Sequence, residues 1–278
     1  MAVSCLKGAF LKLRTSLVLF PFVLVVIISI VHFEKAKTVS DAQPLNTCVK
    51  LRDEMEKQAC PNTVAYDWGE LNQYREENLR LPIPAVGERR VVFFGDSITL
   101  EWPALDQKKQ FEGIAVVNRG ISGQLTSQML LRFRQDVIDL HPNVVVIQGG
   151  TNDLARVLPP ALPIIESNLA SMAQLAQVNG IRTVLASILP VNDYELDPHG
   201  QHCLQTRNHS PQQIRDLNDW LRKYALETNC VFLDYYSAML DSQGFLKKGY
   251  SLDGLHPNAA AYKVMKPLAA DAIKEAMR

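Results

Sequence analysis

Ser97 follows Gly95-Asp96 at the end of a short apolar run, a place where a strand can turn into a helix and expose a hydroxyl. A serine hydroxyl is a weak nucleophile until a base takes its proton, and the base needs an acid to orient it. Asp253-Gly254-Leu255-His256 offers both in one loop. Three residues on a turn can bring the carboxylate back to imidazole Nδ1 and leave Nε2 for Ser97. Acyl transfer also needs hydrogen-bond donors for an oxyanion, each worth ~3–4 kcal/mol. The candidates are the N–H groups of Ser97 and Gly120 and the side-chain amide of Asn152. At a helix N-terminus the Ser97 N–H would also sit near partial positive charge. Asp96 reads as a structural acceptor bracing the loops, and Asp153 as a cap of the segment that follows it. Asp234-Tyr235-Tyr236 reads as packing at a strand end.

The elements that must position these residues are visible as hydrophobic pattern. Arg90–Phe94, Ile114–Asn118, Val144–Gln148, Thr183–Ile188 and Cys230–Asp234 are continuous apolar runs, not alternating ones, as expected of parallel strands covered on both faces. Helical periodicity separates them at 124–140, 163–179 and 210–228, with a last helix at 258–276. Asn179-Gly180 is a helix stop, and Asn258 after Pro257 a start. This alternation predicts a three-layer α/β/α fold with a doubly wound, five-stranded parallel sheet of the flavodoxin-like kind. In such sheets ligands bind beyond the carboxyl ends of the strands, and Gly95-Asp96-Ser97, Gly120, Gly149-Gly150-Thr151-Asn152 and Asp253–His256 all fall just after strands or before the last helix. Upstream, 67–79 predicts a docking helix with Trp68, Leu71, Tyr74 and Asn78 or Leu79 on one face. Leu81–Gly87 is a proline-interrupted linker.

Composition excludes several classes. The chain has 278 residues, 47% hydrophobic and 21% charged, which argues against disorder or a multi-pass membrane protein. Its 29 basic and 29 acidic residues balance, so no basic face for nucleic acid is expected. Motifs for nucleotide phosphates, for a zinc metalloprotease and for the G-x-S-x-G elbow are absent. The loop 192–209 holds His199, His202, Cys203 and His209. It has no companion pair at zinc-ligand spacing, so it reads as a solvated lid or insertion, and neither metal nor cofactor is expected.

The N-terminus reads as a separate region. A basic tail, 1–14, precedes 19 uncharged residues, Thr15 to Phe33. As a helix these span ~28 Å, close to a ~30 Å hydrocarbon core. The stretch is long for a cleaved signal, and the nearest cleavage-like site, Ser40-Asp41-Ala42, lies beyond Glu34, Lys35 and Lys37. An inner-membrane anchor is therefore favoured, with secretion after cleavage as the alternative; both place the remainder outside the cytoplasm. Residues 34–87 then form stalk, docking helix and linker, and 88–278 the catalytic domain. Cys48, Cys60, Cys203 and Cys230 follow the apolar stretch. Cys48–Cys60 is the plausible local disulfide, whereas Cys230 opens an apolar strand and reads more readily as a small buried residue than as the partner of Cys203.

The segments Gly95-Asp96-Ser97, Gly120 in NRGISG, Gly149–Asp153 and Asp253-Gly254-Leu255-His256-Pro257 resemble, in order and spacing, the four blocks of the SGNH (GDSL-type) hydrolases. The resemblance covers about residues 88–275. It is nearest to the bacterial branch of esterase/lysophospholipase-like and platelet-activating-factor-acetylhydrolase-like enzymes. It implies Ser97 as nucleophile, His256 as base, Asp253 as its orienting acid, and Ser97, Gly120 and Asn152 as oxyanion donors, without metal or cofactor. Relatives often continue the first block with Asp-Gly-Trp; this chain has Leu100-Glu101-Trp102, a departure on the substrate side. The expected function is a serine esterase for short acyl or acetyl esters of envelope or carbohydrate substrates. A lysophospholipase or thioesterase is the alternative, and an idle glycan- or lipid-binding module the alternative of another class.

Overall fold

The computed structural model describes residues 67–103, 111, 113–156 and 161–278. The basic tail, the apolar segment 15–33, the stalk up to residue 66, Cys48 and Cys60 lie outside the described residues. Among the described residues no helix is long and apolar enough to cross a membrane.

Five parallel strands form one sheet: β1 (Arg89–Gly95), β2 (Ile114–Gly120), β3 (Val144–Gln148), β4 (Arg182–Ala186) and β5 (Val231–Leu233). Their order is β2-β1-β3-β4-β5, the flavodoxin-like arrangement whose winding reverses between β1 and β3. Nine helices accompany the strands among the described residues: α1 (Arg75–Arg80), α2 (Ser97–Leu100), α3 (Thr126–Asp136), α4 (Thr151–Arg156), α5 (Ala161–Val178), α6 (Gln205–Asn208), α7 (Pro211–Glu227), α8 (Tyr235–Met239) and α9 (Ala259–Ala276). The long helices match the sequence periodicity. Asn258 starts α9 as expected, its Oδ1 accepting from the N–H groups of Ala260 at 2.9 Å and Ala261 at 3.2 Å.

Side chains alternate along each strand, so successive residues serve two cores. Val92, Phe94, Val145, Ile147 and Leu185 pack under α3, α5 and α7. Val91, Phe93, Val144, Val146 and Val184 pack under α8, α9 and the segment after Ser97. Each fully buried side chain of this kind contributes ~1.5–3 kcal/mol. That outweighs the ~0.2–0.5 kcal/mol of a helix-surface pair such as Lys223–Glu227, at 3.8 Å.

The predicted docking helix over 67–79 is shorter than expected. Only Arg75–Arg80 is helical. The Asp67 carboxylate takes the N–H groups of Leu71 and Asn72 at 2.7 and 2.9 Å, and Glu70 adopts φ 53°, so the chain turns where the periodicity suggested a helix. The segment docks mainly through polar contacts. Gln124, Gln128 and Gln135 donate to the carbonyls of Gly69, Trp68 and Leu71, while Trp68 and Leu79 stay exposed. Cys203 and Cys230 are both free thiols, so the second bridge that the cysteine count permitted is not formed.

Candidate active site

In β1 the register pairs Gly95 with Gly120 of β2 and with Gln148 of β3. Three loops therefore leave the sheet at one edge. Asp96 leaves β1 in an extended conformation, and its Oδ1 accepts from Ile98 N–H at 3.0 Å, which starts α2 at Ser97. Two side chains then hold this turn. Tyr262 donates to the Ile98 carbonyl at 2.8 Å and Asn118 Nδ2 to the Thr99 carbonyl at 2.9 Å. Because α2 is a single turn of four residues, the expected helix-terminus field reduces to one donor, the Ser97 N–H. That group makes no hydrogen bond among the described residues.

Ser97 Oγ lies 3.0 Å from His256 Nε2, and His256 Nδ1 lies 2.6 Å from Asp253 Oδ2. The other carboxylate oxygen accepts from Ser251 Oγ at 2.9 Å and from the N–H groups of Leu255 at 2.9 Å and His256 at 2.8 Å. Partial burial opposes ionisation of Asp253, yet these four bonds hold its carboxyl well below the usual range. The bond to Asp253 in turn raises the His256 pKa, assisted by the charges of Asp253, Glu101 and Asp96. The carboxylate thus favours a proton on Nδ1 and leaves Nε2 to accept from the serine. The loop stands where it does because Asn192 donates its N–H to the Gly254 carbonyl at 3.0 Å. Gly254 has φ +80°, and a Cβ there would meet the Asn192 carbonyl at 2.3 Å, so only glycine fits.

The expected oxyanion donors fare differently. The Gly120 N–H already donates to Asn118 Oδ1 at 2.8 Å in a buried setting, so it is not a free donor. Gly120 is glycine for another reason. A Cβ there would lie 2.2 Å from the Leu100 nitrogen, inside the backbone of α2. The Gly123 N–H, three residues on, has no acceptor among the described residues. Asn152 Nδ2 donates to the Gln124 carbonyl at 3.1 Å, which puts its amide beside that same loop and leaves its second hydrogen unused.

Helix α4 holds the 123–126 loop with three side chains. Arg156 donates to the Gly123 carbonyl at 3.0 Å and Asn152 to the Gln124 carbonyl. Asp153 accepts from Thr126 N–H at 2.9 Å and Thr126 Oγ1 at 2.6 Å. Asp153 therefore caps α3, not the segment following it, as the sequence suggested. Burial raises its pKa against these bonds.

Arg132 was not singled out in the sequence, because an i,i+4 Arg–Asp pair on a helix usually reads as a surface ion pair. Here it is fully buried against Asp136 at 3.0 Å. Its guanidinium also donates to the Gly95 carbonyl at 2.9 Å, the Arg119 carbonyl at 2.9 Å and Gln124 Oε1 at 2.6 Å. One side chain thus ties together the ends of the two strands that carry Ser97 and Gly120. Asp96 is its acidic counterpart nearer Ser97. Burial pushes Asp96 up to about 6, and its Oδ2 has no hydrogen-bond partner. Asp234 caps α8, accepting from Ser237 N–H at 2.9 Å, while Tyr235 is buried, as the packing reading expected.

The loop 192–209 packs beside the 251–257 loop. Gln205 Nε2 donates to the Asp253 carbonyl at 2.9 Å, and Asp193 accepts from Thr206 N–H at 2.9 Å. His202 and His209 are engaged through Nδ1 with the backbone carbonyls of Asp193 and Gln205. Among the described residues no group of His, Cys, Asp and Glu is arranged to hold a metal ion.

A doubly wound parallel sheet with serine, histidine and aspartate hydrogen-bonded in series at its carboxyl edge is the framework of a carboxylic ester hydrolase. The chain belongs to the GDSL-like lipase/acylhydrolase family, whose model matches residues 93–264. It is 36% identical to a GDSL-like lipase of Bacteroides thetaiotaomicron of known structure, covering 75% of this chain and 98% of that one with a TM-score of 0.65. Among curated relatives, it is 28% identical over 179 residues to the esterase TesA of Pseudomonas aeruginosa, covering 63% of this chain and 79% of the relative. It is 29% identical over 136 residues to an uncharacterised lipoprotein of Bacillus subtilis, where the match covers 42% of this chain and spans only 54% of the relative's length.

Proposed function

We propose that this chain is a serine esterase that works through an acyl-enzyme, with Ser97 as nucleophile, His256 as general base and then acid, and Asp253 as the orienting carboxylate. The observation that supports this most is the unbroken hydrogen-bond series Asp253–His256–Ser97, at 2.6 and 3.0 Å. His256 Nε2 takes the Ser97 proton as Oγ attacks the ester carbonyl carbon. The C=O electron pair moves onto oxygen, where the N–H groups of Ser97 and Gly123 and the Asn152 amide receive it. Gly123 replaces Gly120 in this role because only its N–H is uncommitted. Collapse breaks the bond to the alcohol, which leaves with the proton from His256. Water, deprotonated by the same imidazole, then attacks the acyl-serine and regenerates Ser97. An idle binding module would have no use for an aligned base and nucleophile.

The preferred substrates are short acyl or acetyl esters of envelope or carbohydrate compounds. Trp102 supports this, since it fills the space behind α2 with its ring 5.5 Å from Phe93, 5.3 Å from Tyr262 and 6.1 Å from Tyr235. A second reading, longer acyl chains as in a lysophospholipase or thioesterase, is favoured by the exposed Leu196, Leu204 and Leu252 on segments bordering the catalytic loop. The apolar segment 15–33 and the lipoprotein relative support an exported, envelope-attached enzyme. Purified protein is expected to hydrolyse p-nitrophenyl acetate, and Ser97→Ala to lose turnover while keeping its circular dichroism spectrum. Unchanged turnover in Ser97→Ala would refute the assignment. A series from C2 to C12 esters below micelle formation decides chain length, with kcat/KM expected to fall along it.

A further inference from the structure

The candidate site carries a cation that the esterase chemistry leaves unused. Arg156 lies one turn after Asn152 on α4, so the two side chains share a face. One guanidinium nitrogen donates to the Gly123 carbonyl at 3.0 Å. The rest of the group is exposed, and no carboxylate pairs with it among the described residues. A guanidinium has five N–H donors in a planar fork suited to carboxylate or phosphate. Holding one carbonyl does not require a charge, since Asn152 does the same for Gln124 with a neutral amide.

The surroundings give the site a direction. Buried His209 has a lowered pKa, first by burial and then by the charges of His256 and Arg156, so it forms an uncharged wall near this cation. Glu101, at the end of α2, acts on His256 from elsewhere in the site. Arg156 is thus the cation beside the loop that carries the Gly123 N–H.

We propose that Arg156 is a specificity-determining residue that binds an anionic oxygen group, carboxylate or phosphate, on the ester substrate. This rests on the esterase reading and narrows its substrate class to esters bearing such a group near the reacting carbonyl. The anion can belong to the acyl part or to the alcohol part, and two substrate pairs separate these sources. Mono-4-nitrophenyl succinate against 4-nitrophenyl butyrate tests the acyl side. Acetylglycerol 3-phosphate against acetylglycerol, followed by acid release, tests the alcohol side.

In the parent enzyme at low salt, the anionic member of one pair is expected to have a kcat/KM about tenfold above its neutral partner, with the advantage shrinking in ~0.5 M salt. Arg156→Gln keeps a donor for the Gly123 carbonyl and removes the charge; it should erase most of that ratio. Arg156→Lys should keep more than half of it. The ratio within each variant cancels any loss common to both esters, such as a shifted Gly123 loop. No anionic advantage in either pair, or one that survives Arg156→Gln, overturns the proposal while leaving the esterase reading intact. A parent enzyme that hydrolyses none of the four esters, neutral or anionic, overturns both.

Discussion

Replacing Asp253 by Asn isolates the tautomer of His256 from the architecture around it. Asn keeps an oxygen where Oδ1 accepts from Ser251 Oγ, Leu255 N–H and His256 N–H, at 2.8–2.9 Å, so the loop retains three of its four bonds to this side chain. Only the 2.6 Å contact to His256 Nδ1 changes. An amide nitrogen there donates to Nδ1 and drives the imidazole proton onto Nε2, where it faces Ser97 Oγ and cannot accept. The same exchange in the serine-protease triad lowers kcat by ~10⁴, and each factor of ten corresponds to ~1.4 kcal/mol, so about 5 kcal/mol of barrier is at stake. A second signature follows from charge. Asp253 raises the His256 pKa, so in the parent the activity climbs with pH as an imidazole above its ordinary value loses its proton. Without the carboxylate that inflection should move down. Rates with p-nitrophenyl acetate from pH 5 to 9, with circular dichroism to verify folding, measure both effects. A folded variant within tenfold of the parent, or one with an unmoved inflection, would refute the role given to Asp253.

Asn152→Ala should lower kcat by ~10²–10³ with little change in KM, since its amide acts on charge that develops in the transition state; a pure KM effect would make it a substrate-binding group. Gly120→Ala forces a Cβ to 2.2 Å from the Leu100 nitrogen, so a loss of about 1–3 kcal/mol and reduced turnover are expected, and an unshifted Tm would contradict the close approach. For Asp96, the native pKa of about 6 lies above the ordinary 3.8, so the folded state binds the extra proton and stability declines as pH rises through that window. Asp96→Asn should remove this slope and add ~2–3 kcal/mol at pH 8. Denaturant midpoints at pH 5 and 8 check it, and a variant less stable than the parent at pH 8 would show that the ionised carboxylate is satisfied.

The strands were legible because they are buried on both faces, so their apolar runs leave little room for another reading. The contact of Asp253 with His256 was legible because a turn of fixed length confines an Asp-x-x-His pair. Gly120 was misjudged because a glycine required for close approach and one whose N–H faces a ligand look alike in a string of letters. What separates them is the Leu100 backbone and Asn118 Oδ1, both tertiary neighbours. The 67–79 periodicity misled because Asp67 and Glu70 redirect the backbone locally, at little cost to the contacts of Tyr74, which stays buried with its hydroxyl on the Gly120 carbonyl. Arg132 was invisible for the opposite reason. Its partner Asp136 is local, but its burial is set by β1 and β2 meeting over it.

Ser97 and His256 stand 159 residues apart in the chain. Under the proposed mechanism, Ser97 is therefore synthesised well before the base that activates it. Until the 251–257 loop docks through Gly254 against Asn192, Ser97 is an ordinary alcohol. A nascent or unfolded chain is in this sense its own zymogen, activated by completing the fold rather than by proteolysis. Ester turnover under that mechanism thus reports the arrival of the 251–257 loop, and the time at which activity appears during refolding measures the closing of this long-range contact.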